Sequence, residues 1–362
     1  MSVAMTIVQA TRAYEKQLAT QTSLVRSDLL LKHRLMKNDE VSFLRGTFYR
    51  WMQCWPNVCS DLTTAPVVLA VGDLHLENFG TWLDAEGRLI WGINDFDEAY
   101  PLPYTNDLVR LAVSAKLAIM TEHLTIKPKD ACEAILTGYT EGLKAEGRPF
   151  VLAEGHQWLR DIATGKLRDS AGFWERIMAL PPVKGSVPAS ARAALERLMP
   201  EPGLPYRIRR RVSGVGSLGH PRYVAIADWY GGKIVREVKA LVPSACVWAY
   251  DGHGTDTILY QSVLDHAVRC RDPLVHVQGG WIVRRLSPYC SRIELAHLPK
   301  KRDEALLLHA MGWETANIHL GSRKMRKALR RDLAKRKADW LRLATKTMTK
   351  STLSDWKDWG RR

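Results

Sequence analysis

Nowhere in its 362 residues does the chain carry about 18 consecutive apolar residues, which excludes an ordinary membrane-spanning helix. Its start, MSVAMTIVQATRAYEKQ, lacks the basic-then-apolar order of a secretory signal, so a cytoplasmic protein with no transmembrane segment is expected. Cysteine is sparse: no two of Cys54, Cys59, Cys132, Cys246, Cys270 and Cys290 form a C-x-x-C pair, which argues against a zinc or dithiol redox site and for reduced, partly buried thiols. Acidic residues are outnumbered, 38 Asp and Glu against 53 Lys and Arg. No internal repeat is visible. With 46% hydrophobic and 25% charged residues, the composition excludes wholesale disorder and a fibrous architecture. The length suits two domains or one bilobal unit.

Texture divides the chain into four parts. Residues 1–60 read as a helical lead-in, with Leu29, Leu30, Leu31 and Leu35 at mixed three and four spacing. Residues 61–205 open on strand-like runs at 67–71, 79–83 and 88–94, the last two joined by Asp84-Ala85-Glu86-Gly87, a hairpin turn with a glycine available for positive φ. They continue as a helical region in which Leu108, Leu111, Ala112, Ala115 and Leu117 share a face. Residues 206–298 are read as a small antiparallel β lobe, with strands at 207–213, 222–229, 233–241 and 281–286 and a helix at 256–269. Residues 299–362 return to helix. Twelve Lys or Arg against two Asp between 323 and 350 supply ten of the fifteen excess positive charges.

Chemistry concentrates first at Gly72-Asp73-Leu74-His75-Leu76-Glu77-Asn78, directly after a β-branched run that reads as a buried strand. The second hairpin strand returns Ile93-Asn94-Asp95-Phe96-Asp97-Glu98 to the same end. Carboxylates at buried-strand ends either serve as turn residues or gather around a cation or a proton. Magnesium bound with a nucleoside triphosphate takes one or two protein oxygens, which Asn78 and Asp95 supply in the second case. Asp73 is then left to orient and deprotonate a hydroxyl.

The block Gly72-Asp73-x-His75-x-x-Asn78 followed by Ile93-Asn94-Asp95-Phe96 resembles the catalytic loop and metal motif of the kinase-like fold, in the variant of aminoglycoside and choline kinases, H-G-D-x-H-x-x-N and then I-D-F or I-D-W. The resemblance implies Asp73 as catalytic base, Asn78 and Asp95 as magnesium ligands, and Asp107 as a buried carboxylate under the loop; on the residues themselves His75 joins the catalytic group, more to brace the loop than for chemistry, and Asp97 joins the metal ligands. Val71 stands where the usual histidine is. Phe43-Leu44-Arg45-Gly46-Thr47, the 72–80 block, Asn94-Asp95-Phe96-Asp97-Glu98 and Asp107-Leu108-x-Arg110-Leu111 together resemble the bacterial family catalogued as domain of unknown function 2252, most strongly over residues 40–118. That family implies no substrate. It does imply a shared pocket that includes Arg45, paired with a phosphate or, alternatively, in a structural salt bridge.

A second constellation is Gly214-Val215-Gly216-Ser217-Leu218-Gly219, a literal G-x-G-x-x-G. Pro221 and a strand follow it, so the helix that a dinucleotide-binding loop requires is missing. A kinase-type loop instead needs strand, loop, strand and a further strand bearing a lysine, and Lys239 lies twenty residues past Gly219. Gly214, Gly216, Gly219 and Lys239 are therefore expected on the phosphates of ATP. The usual glutamate partner is not evident, since 256–269 offers only Asp256, Gln261 and Asp265. The loop also follows the catalytic block by about 140 residues where kinases place it first. The helix at 304–319 resembles the one leading into a kinase catalytic loop. These features suggest an α+β, bilobal, kinase-like fold in circularly permuted order, with a helical large lobe and a small antiparallel β lobe.

Three functions stay open at this point. The first is an ATP- and Mg2+-dependent phosphotransferase acting on the hydroxyl of a small molecule or a protein. The second is a catalytically altered nucleotide-binding protein, a pseudokinase or a nucleotidyl transferase. The third, a metallophosphoesterase, ranks last, because His123, His156, His220, His253, His266 and His276 lack that class's motif context. Asp97 and Glu98 suit a cationic acceptor, whereas the overall charge points the other way. The basic segment at 323–346 reads as an amphipathic cationic helix, solvated or facing an acidic partner.

Overall fold

The computed structural model describes residues 5–164, 169–250, 256–290, 292, 294–295, 298 and 303–361. His253 and the start of the fourth expected region, 299–302, lie outside the described residues. The chain is α+β. In order, it forms α1 (Ile7–Gln21), α2 (Arg26–Asn38), α3 (Glu40–Gly46), α4 (Phe48–Val58), β1 (Val67–Ala70), β2 (Phe79–Leu83), β3 (Leu89–Ile93) and β4 (Tyr100–Pro103). Next come α5 (Tyr104–Met120), α6 (Pro128–Lys144), β5 (Phe150–Val151), α7 (Gln157–Thr164), α8 (Ser170–Met178) and α9 (Ala189–Arg197). Then follow β6 (Arg207–Arg210), β7 (Arg222–Trp229), β8 (Gly232–Ala240), α10 (Ala245–Ala249), α11 (Tyr260–His266), β9 (Val275–Gln278) and β10 (Trp281–Leu286). α12 (Glu304–His319), α13 (Arg326–Lys335) and α14 (Trp340–Gly360) complete the chain.

The helical body is organised by close crossings. At Gly312 of α12 an added Cβ would lie 2.1 Å from the Ile135 carbonyl oxygen of α6, so only glycine lets the two backbones meet there. Tyr104 of α5 stacks on Tyr139 of α6 at 5.7 Å, and Tyr104 is fully buried. α5 is more buried than its amphipathic pattern predicts: every residue from Tyr104 to Ala115 is buried, because α6, α12, α14 and the block after β1 surround it. The expected single cationic helix is two helices. The chain turns extended at Arg336, whose guanidinium pairs with Asp332 at 2.6 Å and lies over the Tyr104 and Trp340 rings.

Among the described residues, three antiparallel sheets accompany the helices: β1 with β4, β2-β3-β5, and a five-stranded sheet in the order β6-β7-β8-β10-β9. In the β2–β3 hairpin Asp84 Oδ1 accepts the Glu86 and Arg88 amides, and Gly87 has φ +73°, as the turn residues lead one to expect. In the large sheet the two-residue period separates two faces. Ala225, Val238, Ala240, Trp281 and Val283 pack with Ala191, Ala194 and Leu195 of α9. On the opposite face Val224, Ile226, Val235 and Leu286 form an apolar end with Ile177 of α8. Arg222, Glu237, Lys239 and Arg284 form the charged end of this second face, since the register pairs Arg222 with Lys239 and Arg284 with Glu237.

Candidate active site

A cleft of about 900 Å³ lies where the charged end of the five-stranded sheet meets the helical body. Its floor is the block after β1. Val71 and Gly72 donate their amides to Asp107 Oδ2 and Oδ1 at 2.7 and 3.0 Å, so a carboxylate on the first turns of α5 holds the strand's exit. Gly72 takes φ +82°, and an added Cβ would stand 2.2 Å from the Glu98 carbonyl oxygen, which dictates glycine before Asp73. His319, at the end of α12, places Nε2 3.0 Å from Asp107 Oδ2 and Nδ1 2.8 Å from the Tyr139 hydroxyl. A histidine thus reaches the loop's underside from the far end of the chain, in a block where position 71 is valine.

Asp73 Oδ1 accepts from Arg110 Nε at 2.9 Å and also from Arg110 Nη2, while Arg110 Nη2 donates to the Leu44 carbonyl at 2.8 Å. Arg110 is fully buried, its guanidinium 5.0 Å from the Phe48 ring and 4.9 Å from the Trp51 ring. Asp73 Oδ2 is turned to the cleft, where an added Cβ on Gly216 would be 3.3 Å away. Burial raises the Asp73 carboxyl above the usual carboxylate range, against the opposing pull of Arg110. Asn78 Oδ1 accepts the His75 amide at 2.8 Å, and His75 Nδ1 accepts the Glu77 amide at 3.2 Å, a reciprocal cap that rigidifies the loop. Burial, reinforced by Arg45 and Arg110, pushes His75 well below the ordinary imidazole range and keeps it neutral. Arg45 pairs with Glu77, and its Nε is buried without a hydrogen-bond partner.

Lys239 is 2% exposed and donates to Asp97 Oδ1 and Oδ2 at 2.7 and 2.5 Å, with Asp95 Oδ1 3.5 Å away. Burial pushes Asp95 up, but Lys239 and Arg284 more than offset it and hold the carboxyl below its ordinary value. Burial and then the Asp95 charge push Asp97 the other way. Glu98 is raised to about 7, chiefly by burial, although the Ala245 amide and the Ser244 hydroxyl hydrogen-bond it at 2.7 and 2.8 Å.

Asp95 Oδ1 is buried and accepts no hydrogen bond, the kind of oxygen a hard cation satisfies. Asn78 keeps one carbonyl lone pair, and both Asp97 oxygens are occupied by Lys239. Asp95, with Asn78 as a second protein oxygen, would be the group to hold a magnesium ion, phosphate and water supplying the rest of its ligands. Among the described residues no three His, Cys, Asp or Glu side chains gather as a metal site.

The glycine segment connects β6 to β7, and the chain continues through β8 with Lys239. Gly214 and Gly219 have φ +77° and +104°, while Gly216 does not. Gly214 and Gly216 line the cleft; Gly219 turns away and packs on Leu29 of α2. The sequence reading did not single out Lys32, whose Nζ donates to the Gly216 carbonyl at 3.0 Å, nor the Val25 amide, which donates to the Gly219 carbonyl at 2.8 Å. Arg110, Glu237 and Arg284 were also given no role. A signal existed only for Arg110, three residues past Asp107 and so on the same helix face.

Neither the comparison with curated proteins nor that with solved structures finds a match. Residues 24–157, which span the glycine-loop brace, Arg45, the 72–80 block, Asp95, Asp97, Asp107 and Arg110, match the family model described as "Uncharacterized protein conserved in bacteria (DUF2252)". Over those residues, the chain is similar to the DUF2252 family.

Proposed function

We propose that this chain is an ATP- and magnesium-dependent phosphotransferase of kinase-like, circularly permuted architecture that acts on a hydroxyl acceptor. The observation that carries this reading is the meeting of two sets of residues about 140 positions apart in one cleft. Gly216 lies against Asp73, and Lys239 bridges Asp97 and Asp95. The strand–loop–strand–strand order that a kinase-type glycine loop requires is present in β6, β7 and β8. The permuted order is supported at α12: the Leu69 amide of β1 donates to Ser322 Oγ at 2.9 Å, so the end of α12 adjoins the strand that enters the catalytic block.

In this reading Asp73 Oδ2 orients the acceptor hydroxyl and receives its proton, while Arg110 fixes the other oxygen. Lys239 has three N–H groups and gives two to Asp97, leaving one for a phosphate oxygen. Magnesium, when bound at Asp95, supplies charge neutralisation on the phosphates. The apolar end of the sheet, where Ile177 and Leu286 line the cleft, offers a flat base its slot.

The second reading, an altered nucleotide-binding protein or nucleotidyl transferase, draws on one observation: Lys239 is paired with aspartates of the metal segment rather than with a glutamate. ATP labelled at the α or the γ phosphate separates the two. The phosphotransferase reading expects γ-label on an acceptor or on water, and a loss of at least about 100-fold in Asp73→Asn with ATP binding retained. Incorporation of α-label, or turnover indifferent to Asp73→Asn, contradicts it.

A further inference from the structure

Glu237 is completely buried on the cleft face of β8, and three guanidiniums converge on it. Arg222 Nη1 is 3.0 Å and Arg284 Nε 2.8 Å from Glu237 Oε1, and Arg211 takes Oε2. Three positive charges therefore meet one negative charge, an excess of two on the wall of a cleft. Burial raises the Glu237 carboxyl, but the three arginines outweigh it and hold it well below its ordinary value, so this anion persists throughout the working pH range. Arg211 and Arg284 line the cleft with side chains 27% and 25% exposed, whereas Arg222 is 5% exposed. Arg222 Nη2 also donates to Ser217 Oγ at 2.8 Å, and an added Cβ on Gly214 would lie 3.4 Å from that same oxygen. The arginine trio and the glycine segment thus share one corner.

An apolar filling would have served the fold at less desolvation cost than four buried or half-buried charges. A guanidinium fork, by contrast, matches the planar oxygens of phosphate and keeps its charge at any pH. We propose that Arg211, Arg222 and Arg284, oriented by Glu237, form a phosphate-binding site that recognises a phosphate ester or anhydride through guanidinium contacts and needs no metal. The site exceeds what the phosphotransferase reading asks of Lys239 and the glycines. The phosphate belongs either to the nucleotide chain or to a phosphorylated acceptor.

The test is calorimetry of the full chain with inorganic pyrophosphate, in EDTA. Wild type binds; Arg211→Gln and Arg284→Gln bind about 10- to 100-fold more weakly, the loss of one charged hydrogen-bonding group. The exposed Arg331→Gln on α13 binds like wild type. Glu237→Gln distinguishes an organised site from loose charge, because it makes the wall more positive yet weakens binding by removing the shared anchor. Tighter binding in Glu237→Gln, or equal binding in wild type and both arginine variants with unchanged melting, overturns the site. Should Glu237→Gln fail to fold, the half-exposed Arg211→Gln carries the test alone. Competition between pyrophosphate and ATP assigns the site to the nucleotide chain; simultaneous binding assigns it to the acceptor. A chain that binds pyrophosphate but never Mg-ATP keeps the site and loses the phosphotransferase reading.

Discussion

Arg110 is the residue on which the chemistry at Asp73 turns. It is fully buried, sandwiched by Phe48 and Trp51, and its one carboxylate partner among the described residues is the proposed base. Removing one member of a buried pair leaves an uncompensated charge, so Arg110→Met is expected to cost about 3–5 kcal/mol in denaturant unfolding. Asp73→Asn added to Arg110→Met should recover part of that loss, and additivity of the two would show that they do not interact. A second residue contributes to the pH dependence of the fold. Glu314 of α12 accepts from the Ile93 amide at 3.2 Å and from Asn317 at 2.7 Å, and burial raises it from 4.5 to about 7. Its folded form holds a proton that the unfolded chain releases near 4.5, so the stability it contributes is complete below that value and is lost as pH rises through 7. Between pH 5 and 8 the melting temperature of Glu314→Gln should therefore gain on that of wild type; a constant difference would refute this. That Asp73, Asn78 and Asp95 would share one end of the hairpin was legible from strand and hairpin spacing, whereas the place of Asp107 under the loop came only from the resemblance to the kinase-like fold. Lys32 and Glu237 were not legible, because their partners lie 184 and 15 or more residues away.

At the scale of elements, α2 explains the lead-in that the sequence left without a role. Its Lys32 and the preceding Val25 hold the middle and the far end of the glycine segment at Gly216 and Gly219, and Arg210, at the end of β6, pairs with Asp28. Lys32→Met should raise amide exchange across residues 214–219 while α12 keeps its protection; unchanged exchange there would show that α2 does not brace the loop. The α6–α12 crossing makes a sharper prediction. Gly312→Ala forces the helices apart and should cost about 1–3 kcal/mol in thermal or denaturant unfolding. Long periodic helices and four of the five strands of the large sheet, all but β9, could be read in advance. β4 and β5 could not: β4 carries two prolines in four residues, and β5 has only two residues to pattern. The break between α13 and α14 was hidden as well, since it depends on Arg336 finding Tyr104 and Trp340, more than 200 residues away in the first case.

For the whole molecule, the main hydrophobic cluster runs from Ala10 of α1 through Ile282 of β10 to Met348 of α14. The four regions drawn from texture share that core, and a single cooperative melt is expected, with fluorescence and far-ultraviolet dichroism coinciding. The composition placed the excess charge in the C-terminal helices, yet the charges that shape the cleft are few and mostly paired, which only the tertiary structure reveals. The central claim is that the two remote constellations form one nucleotide site. Calorimetric titration of ATP into the purified chain, with and without Mg2+ and alongside Asp95→Asn, tests it most directly. The account predicts binding strengthened by Mg2+ in wild type and loss of that strengthening in Asp95→Asn. Absence of ATP binding under both conditions, or a magnesium effect that survives Asp95→Asn, would contradict it.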